Sequence, residues 1–269
     1  MRTGYRLRLS RTGGVLAGGL LLALLLAGCN SDSDGPASSV ILPPSTEESA
    51  LTLERFHYRA TVTLREQVDE GEARELVIST EGDFQQPDRH AFTFITRSGD
   101  AAVVRRVVLI GEEAWVRQGD DPWRMTTTDD PQVAELLAVA FSTVRPAFLS
   151  GPEFDRVREA VRRLTPTDEA VNGILADRYQ VGENGREFFE TFLADDRLLR
   201  NVEGLSWDLW LAQDGAWPVR LLASATITAD LTILDELDLA APVFWELRVD
   251  ISRPNDPTLT IVAPLEEGG

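Results

Sequence analysis

Side chains that commonly carry chemistry are scarce in this chain. Its 269 residues hold one cysteine, Cys29, and two histidines, His57 and His90, and all 26 basic residues are arginine. Without lysine, neither Schiff-base chemistry nor a P-loop is available. One cysteine excludes an intrachain disulfide framework and a cysteine-based structural zinc site. A serine hydrolase needs a nucleophile on a strained turn, and Gly204-Leu205-Ser206-Trp207-Asp208 lacks the second glycine of the G-x-S-x-G elbow. His57 falls on the polar side of an alternating segment and reads as a solvated residue. His90 shares parity with Phe92 and Phe94, but it follows Asp88-Arg89 at a strand start and reads as a polar edge residue. The acid pairs Asp120-Asp121, Asp129-Asp130 and Asp195-Asp196 lie at turns or helix ends, where carboxylates are ordinarily favoured. Asn30, Asp32, Asp34 and Gly35 imitate the opening of a calcium loop whose terminal acid would fall on Ile41, which binds no cation. The expectation is a protein that is not an enzyme, with no catalytic residue, no metal and no cofactor.

Charge and the N-terminus say more. The formal net charge is −18, and four arginines (Arg2, Arg6, Arg8, Arg11) lie in an acid-free stretch of 28 residues, so the 241 residues that follow carry −22. Nucleic acid and anionic bilayers repel so acidic a body, and no nucleic-acid partner is expected. Behind the arginines, Val15 to Ala27 is a leucine-rich apolar run of the length of an export signal, short for a spanning helix. Leu26-Ala27-Gly28-Cys29 resembles the bacterial lipobox. That resemblance implies that residues 1–28 are a lipoprotein signal peptide, that Cys29 is diacylated, and that the mature protein is extracytoplasmic and anchored to the membrane of the cell envelope. Two acyl chains, at about 0.8 kcal/mol per buried methylene, give a stable anchor. Residues 29–49 are polar and contain Pro36, Pro43 and Pro44, which reads as a disordered tether spanning roughly 25 Å root-mean-square.

Residues 50–265 form the folded region. Phe56, Tyr58, Ala60, Val62 and Leu64 alternate with polar residues, the period of a half-buried antiparallel strand. The period returns in Leu76–Phe84, Ala91–Arg97 and Ala102–Ile110, then in short strands at 114–117 and 123–126 after turns at Gly111 and Gly119. This predicts an antiparallel meander of about six strands. From Asp130 the period changes. Asp130 can cap a helix with Pro131 at its first position and Val133, Leu136, Leu137, Ala140, Phe141 and Val144 at helical spacing. A second helix is predicted from Gly151 to about Leu164 around Phe154, and a third from Gly185 to Asn201 around Phe188, Phe189 and Phe192. Strands are predicted at 169–181, 205–211, 218–229, 243–251 and 259–262, with 230–241 ambiguous. The apolar helix stripes need a surface to bury against, and the sheet is the largest one. The fold class read from this order is α+β: one domain, a large curved antiparallel sheet with helices packed on its concave face.

In this order of elements the chain resembles the LppX, LprA, LprF and LprG family of lipoproteins and, more remotely, the LolA/LolB lipoprotein carriers. The resemblance rests on the lipobox, the tether, and Asn172-Gly173-Ile174 leading into Asp177-Arg178-Tyr179-Gln180-Val181. It also rests on the Trp210-to-Leu221 hairpin around Asp214-Gly215 and the closing segment Asn255–Pro264. It implies a LolA-like half-barrel whose concave face and capping helices enclose an apolar cavity for acyl chains. The expected ligand is a lipid or an acylated protein, and the expected role is to carry or present it without catalysis. Candidate cavity residues are Phe56, Tyr58, Phe92, Phe94, Leu137, Phe141, Phe154, Phe188 and Phe192, though the same residues could fill a solid core. The rival expectation is a sensor or protein-interaction module of the envelope on the same fold, with a filled interior and a protein partner. A periplasmic regulator of a sigma-factor pathway also has a LolA-like domain.

Overall fold

The computed structural model describes residues 53–68, 71–144, 164–180, 201–214, 217–229, 234 and 237–264, with the side chains of 138–144 left aside. Cys29, the tether, and the predicted second and third helices with Phe154, Phe188 and Phe192 lie outside the described residues.

Alternation of apolar and polar residues produces strands. The N-terminal half forms β1 (Arg55–Glu66), β2 (Glu75–Gln85), β3 (Arg89–Ser98), β4 (Ala101–Ile110), β5 (Glu113–Gln118) and β6 (Arg124–Thr127). This is the predicted six-strand meander. Helix α1 (Pro131–Val144) follows, and the C-terminal half adds β7 (Thr167–Val171), β8 (Ile174–Gln180), β9 (Val202–Ala212), β10 (Pro218–Ile227) and β11 (Val243–Ser252). All eleven strands join one sheet in the order β6-β5-β4-β3-β2-β1-β11-β10-β9-β8-β7. Every neighbouring pair is antiparallel. The sheet is thus two meanders sewn together where the first strand meets the last, from His57 opposite Ser252 to Glu66 opposite Val243. Laid flat, eleven strands would span about 48 Å, and open sheets this wide curl. The result is an open half-barrel with α1 against β1 and β11 on its inner face.

Asp130 caps α1 as expected: the Gln132 backbone N–H donates to its Oδ1 at 2.8 Å, and the Ala134 N–H to its carbonyl at 2.9 Å. Three elements depart from the sequence reading. The single strand expected over 169–181 is a hairpin, β7–β8, turned at Asn172 (φ 54°) and Gly173 (φ 79°). Two consecutive positive φ values define the type I′ turn that Asn-Gly favours. Strand β9 begins at Val202, three residues before the expected start, because an irregularity in its pairing with β10 absorbs Gly204 (φ 60°) and lets the ladder continue. Residues 259–262 are not a strand. Their carbonyls are taken by side chains instead, Leu259 O by Arg55 Nη1 at 3.3 Å and Ile261 O by Arg89 Nη1 at 2.8 Å, while Leu259 and Ile261 are buried.

Candidate functional site

The two-residue period of each strand sends one set of side chains to the inner face. Rungs across the sheet follow from the register. One runs Phe56–Phe84–His90–Leu109–Ala114, and the next Tyr58–Gly82–Phe92–Val107–Val116. A third adds Ala60, Thr80, Phe94 and Arg105. The inner face continues through Trp245, Leu247, Val249 and Ile251 of β11, then Leu221, Ala223 and Ala225 of β10 and Trp207 and Leu209 of β9, all buried.

Of the residues proposed from sequence to line a cavity, Phe56, Tyr58, Phe92 and Phe94 are brought together on this face, each at most 3 % exposed. Leu137 is half-buried on α1 and packs against the same core. Phe141 lies within α1, with its side chain outside the described residues. The rings form a connected cluster. Phe56 stacks on Phe84 at 5.2 Å between centroids, and His90 lies 4.7 Å from Phe92 and 5.5 Å from Tyr58. Gly82 makes room for it. A Cβ there would come within 2.3 Å of the Ala91 carbonyl and 2.6 Å of the Phe92 Cβ.

His90 is therefore no edge residue. It is buried, and its Nε2 shares a 2.6 Å hydrogen bond with the Tyr58 hydroxyl. Burial pushes its pKa down to about 3 and pushes that of Tyr58 well up, so both are neutral across the physiological range. The strand-start position after a charged dipeptide masked the parity signal, which was correct. His57 also departs from expectation. It faces the outer side but is only 26 % exposed, and Nδ1 lies 2.7 Å from Asp83 and Nε2 3.3 Å from Glu81. The Asp83 hydrogen bond, against the effect of burial, raises its pKa above the ordinary value.

Toward the start of β4 the inner face becomes wetter. Val107 is 1 % exposed, Arg105 is half-buried, and Val103 is 43 % exposed. Arg105 is the cation of this rim; burial lowers its pKa, and Glu135 on α1 opposes that. Among the described residues no cluster of three or more histidine, cysteine or acidic side chains could hold a metal. None of the described helices is long and apolar enough to cross a membrane. The chemistry this face offers is apolar contact with a few neutral polar groups and one cation, Arg105, at its rim.

No family model matches the chain, and no curated protein does. Solved structures with a similar course of chain include a LolA superfamily protein from Nitrosomonas europaea, 8% identical, covering 78% of this chain and 91% of that one at a TM-score of 0.26. Another is a putative outer membrane lipoprotein-sorting protein domain from Vibrio parahaemolyticus, 13% identical, covering 75% and 86% at 0.23. A DUF1329 family protein from Desulfovibrio piger is 12% identical and covers 93% and 96% at 0.23. Likeness at these scores transfers no function, and the half-barrel is read from the sheet itself.

Proposed function

We propose that the protein is an envelope lipoprotein of LolA-like, LppX/LprG type that holds the acyl chains of a lipid or an acylated protein against its inner face. It would carry or present that ligand without catalysis, tethered to the membrane through Cys29. The observation that carries this reading is the continuity of the inner face. Apolar rungs run across it from β5 to β9, interrupted by small residues such as Gly82, Ala60 and Ala223, with the cation Arg105 at the β4 rim. Each acyl methylene transferred there from water gains about 0.8 kcal/mol. The exposed start of β4, at Val103, supplies the entrance in this reading.

The rival, a filled interaction module, draws on the close burial of Phe56, Phe92 and Phe94, which leaves these rings little free surface. Under the carrier reading α1 has to yield as a chain enters. One experiment separates the two. Residues 29–269 with Cys29→Ser retain every described strand and α1, and can be purified without an acyl group of their own. Lipid extraction with mass spectrometry, together with titration by a fluorescent fatty acid, should find co-purified lipid and saturable probe binding. Absence of both would sink the carrier reading and leave the interaction module.

A further inference from the structure

The outer face of the sheet carries one arginine-rich rung that crosses ten strands, and its two ends are built differently. Register places Arg117, Arg106, Thr93, Glu81, Arg59, Asp250, Arg220, Trp210, Arg178 and Thr167 side by side. From β2 to β8 every arginine of the rung has a carboxylate. Arg59 Nη2 lies 2.8 Å from Glu81, Arg220 Nε 2.6 Å from Asp250, and Arg178 Nη2 2.6 Å from Asp208.

On β4 and β5 this pattern stops. Arg106 and Arg117 are direct cross-strand partners, and neither makes an ion pair with any acid among the described residues. Arg106 Nη1 donates to the Gly119 carbonyl at 3.0 Å, and the Arg117 guanidinium lies 5.5 Å from the Trp123 ring centroid. The Nε of Arg117 is buried without a hydrogen-bond acceptor. Like charges directly opposite on a sheet repel, and a buried donor without an acceptor is destabilising. In a chain with 44 acidic residues, two adjacent arginines with no ion pair among the described residues are a local exception to the composition.

We propose that Arg106 and Arg117 form an oxyanion site, selective for a phosphate group, on the outer face of β4–β5. Two guanidinium forks side by side match the several acceptor oxygens of a phosphate better than lysine would. Trp123 fixes one fork and the Gly119 carbonyl the other, so little side-chain freedom is lost on binding. The acidic remainder of the surface restricts binding to an anion that reaches both forks at once. The phosphate can come from a lipid headgroup in the membrane beside the tethered domain, or from a free phosphorylated solute. The site lies on the opposite face from the acyl-binding surface and does not depend on it.

The test uses residues 29–269 with Cys29→Ser. Inorganic phosphate is titrated by calorimetry at low and physiological salt, and the same protein is floated with vesicles of phosphatidylglycerol or phosphatidylcholine. The expected result is saturable phosphate binding that weakens about tenfold or more in R106Q/R117Q, with thermal stability undiminished because a repulsive pair has been removed. Retention on both kinds of vesicle, lost in the double variant, assigns the phosphate to lipid. Phosphate binding without vesicle retention assigns it to a free solute and still supports the site. No phosphate binding, or binding that the double variant keeps, overturns the proposal.

Discussion

His57 and Tyr58 are neighbours in β1, yet they belong to two solvents. Tyr58 points inward, where its hydroxyl meets a neutral His90 and rings close over both. His57 points outward between two carboxylates that favour its charged form. The protein's two imidazoles thus shift in opposite directions across one sheet, down to about 3 inside and upward outside. Away from the Arg105 rim the inner face is apolar, and its Tyr58–His90 pair is neutral. From β2 to β8 the outer face organises charge into pairs, as where Asp250 accepts from both Arg220 and Arg248 at 2.6 Å. Burial alone would raise the Asp250 pKa, but these two arginines hold it below the usual range. A binding function that relies on apolar contact belongs on the first face, and one that recognises ions belongs on the second.

Four measurements break or sharpen this contrast, beginning with the largest effect. Phe92→Ala should cost about 3–5 kcal/mol in denaturant unfolding because it leaves a void in the ring cluster. Thr93→Ala, the next residue on the other face, should stay within about 0.5 kcal/mol. Equal costs would abolish the distinction between the faces.

The second measurement is acid stability. A histidine near 6.5 when unfolded and near 3 when folded binds its proton more readily in the unfolded chain. Its contribution is therefore intact above pH 6.5 and is lost as pH falls toward 3, by about 5 kcal/mol at the limit. Removing the pair with Y58F/H90F should flatten the stability profile in that window, and an unchanged slope would count against a buried neutral His90.

Third, Glu66 is a buried carboxylate at the end of β1. It accepts from Arg74 Nε at 3.0 Å and from the Ala240 N–H at 2.7 Å, and Arg74 above all holds its pKa down. Glu66→Gln should cost about 1–3 kcal/mol, since it weakens charge-assisted bonds without emptying the site. A variant within error of the parent would show that the β1–β2 connection does not need this ion pair.

The smallest effect belongs to His57. Its folded pKa is raised, so its stabilisation is present below pH 6.5 and disappears as pH rises through the folded value. The half-exposed pairs limit it to under about 1 kcal/mol. Proton NMR of the two imidazoles reads both residues directly. One should titrate above 6.5, and the other should stay neutral until about pH 3. Two ordinary titrations would contradict the structure on both faces.

Much of this was legible in the chain. Strict alternation from Phe56 to Leu64 and from Leu76 to Phe84 assigns strand, face and inward aromatics together, because period two leaves one arrangement that buries the rings. Asp130-Pro131 marks the start of α1 through capping chemistry alone. The failures have physical causes too. Asn172-Gly173 is the strongest short hairpin signal, but apolar and β-branched residues on both sides give one continuous strand pattern that hides it. The segment 259–262 has strand composition, yet arginine side chains claim its carbonyls, and nothing local encodes partners 172 and 204 residues away. His90 has the parity of an inward residue, but the charged pair Asp88-Arg89 before it gives it the local pattern of an edge. The seam between β1 and β11 was not readable, since alternation defines a strand and its faces but names no partner.

That seam governs how the molecule comes into being. β1 is synthesised first of the strands and its partner β11 last, with Ser252 pairing back to His57. Until the final strand arrives, β1 presents a long row of unpaired amides beside exposed phenylalanines, the combination most prone to pairing with another chain. Contacts so distant in sequence also form slowly. A chain truncated before Val243 would therefore not be a smaller version of this protein but two loose meanders, each with a raw border where the other should be.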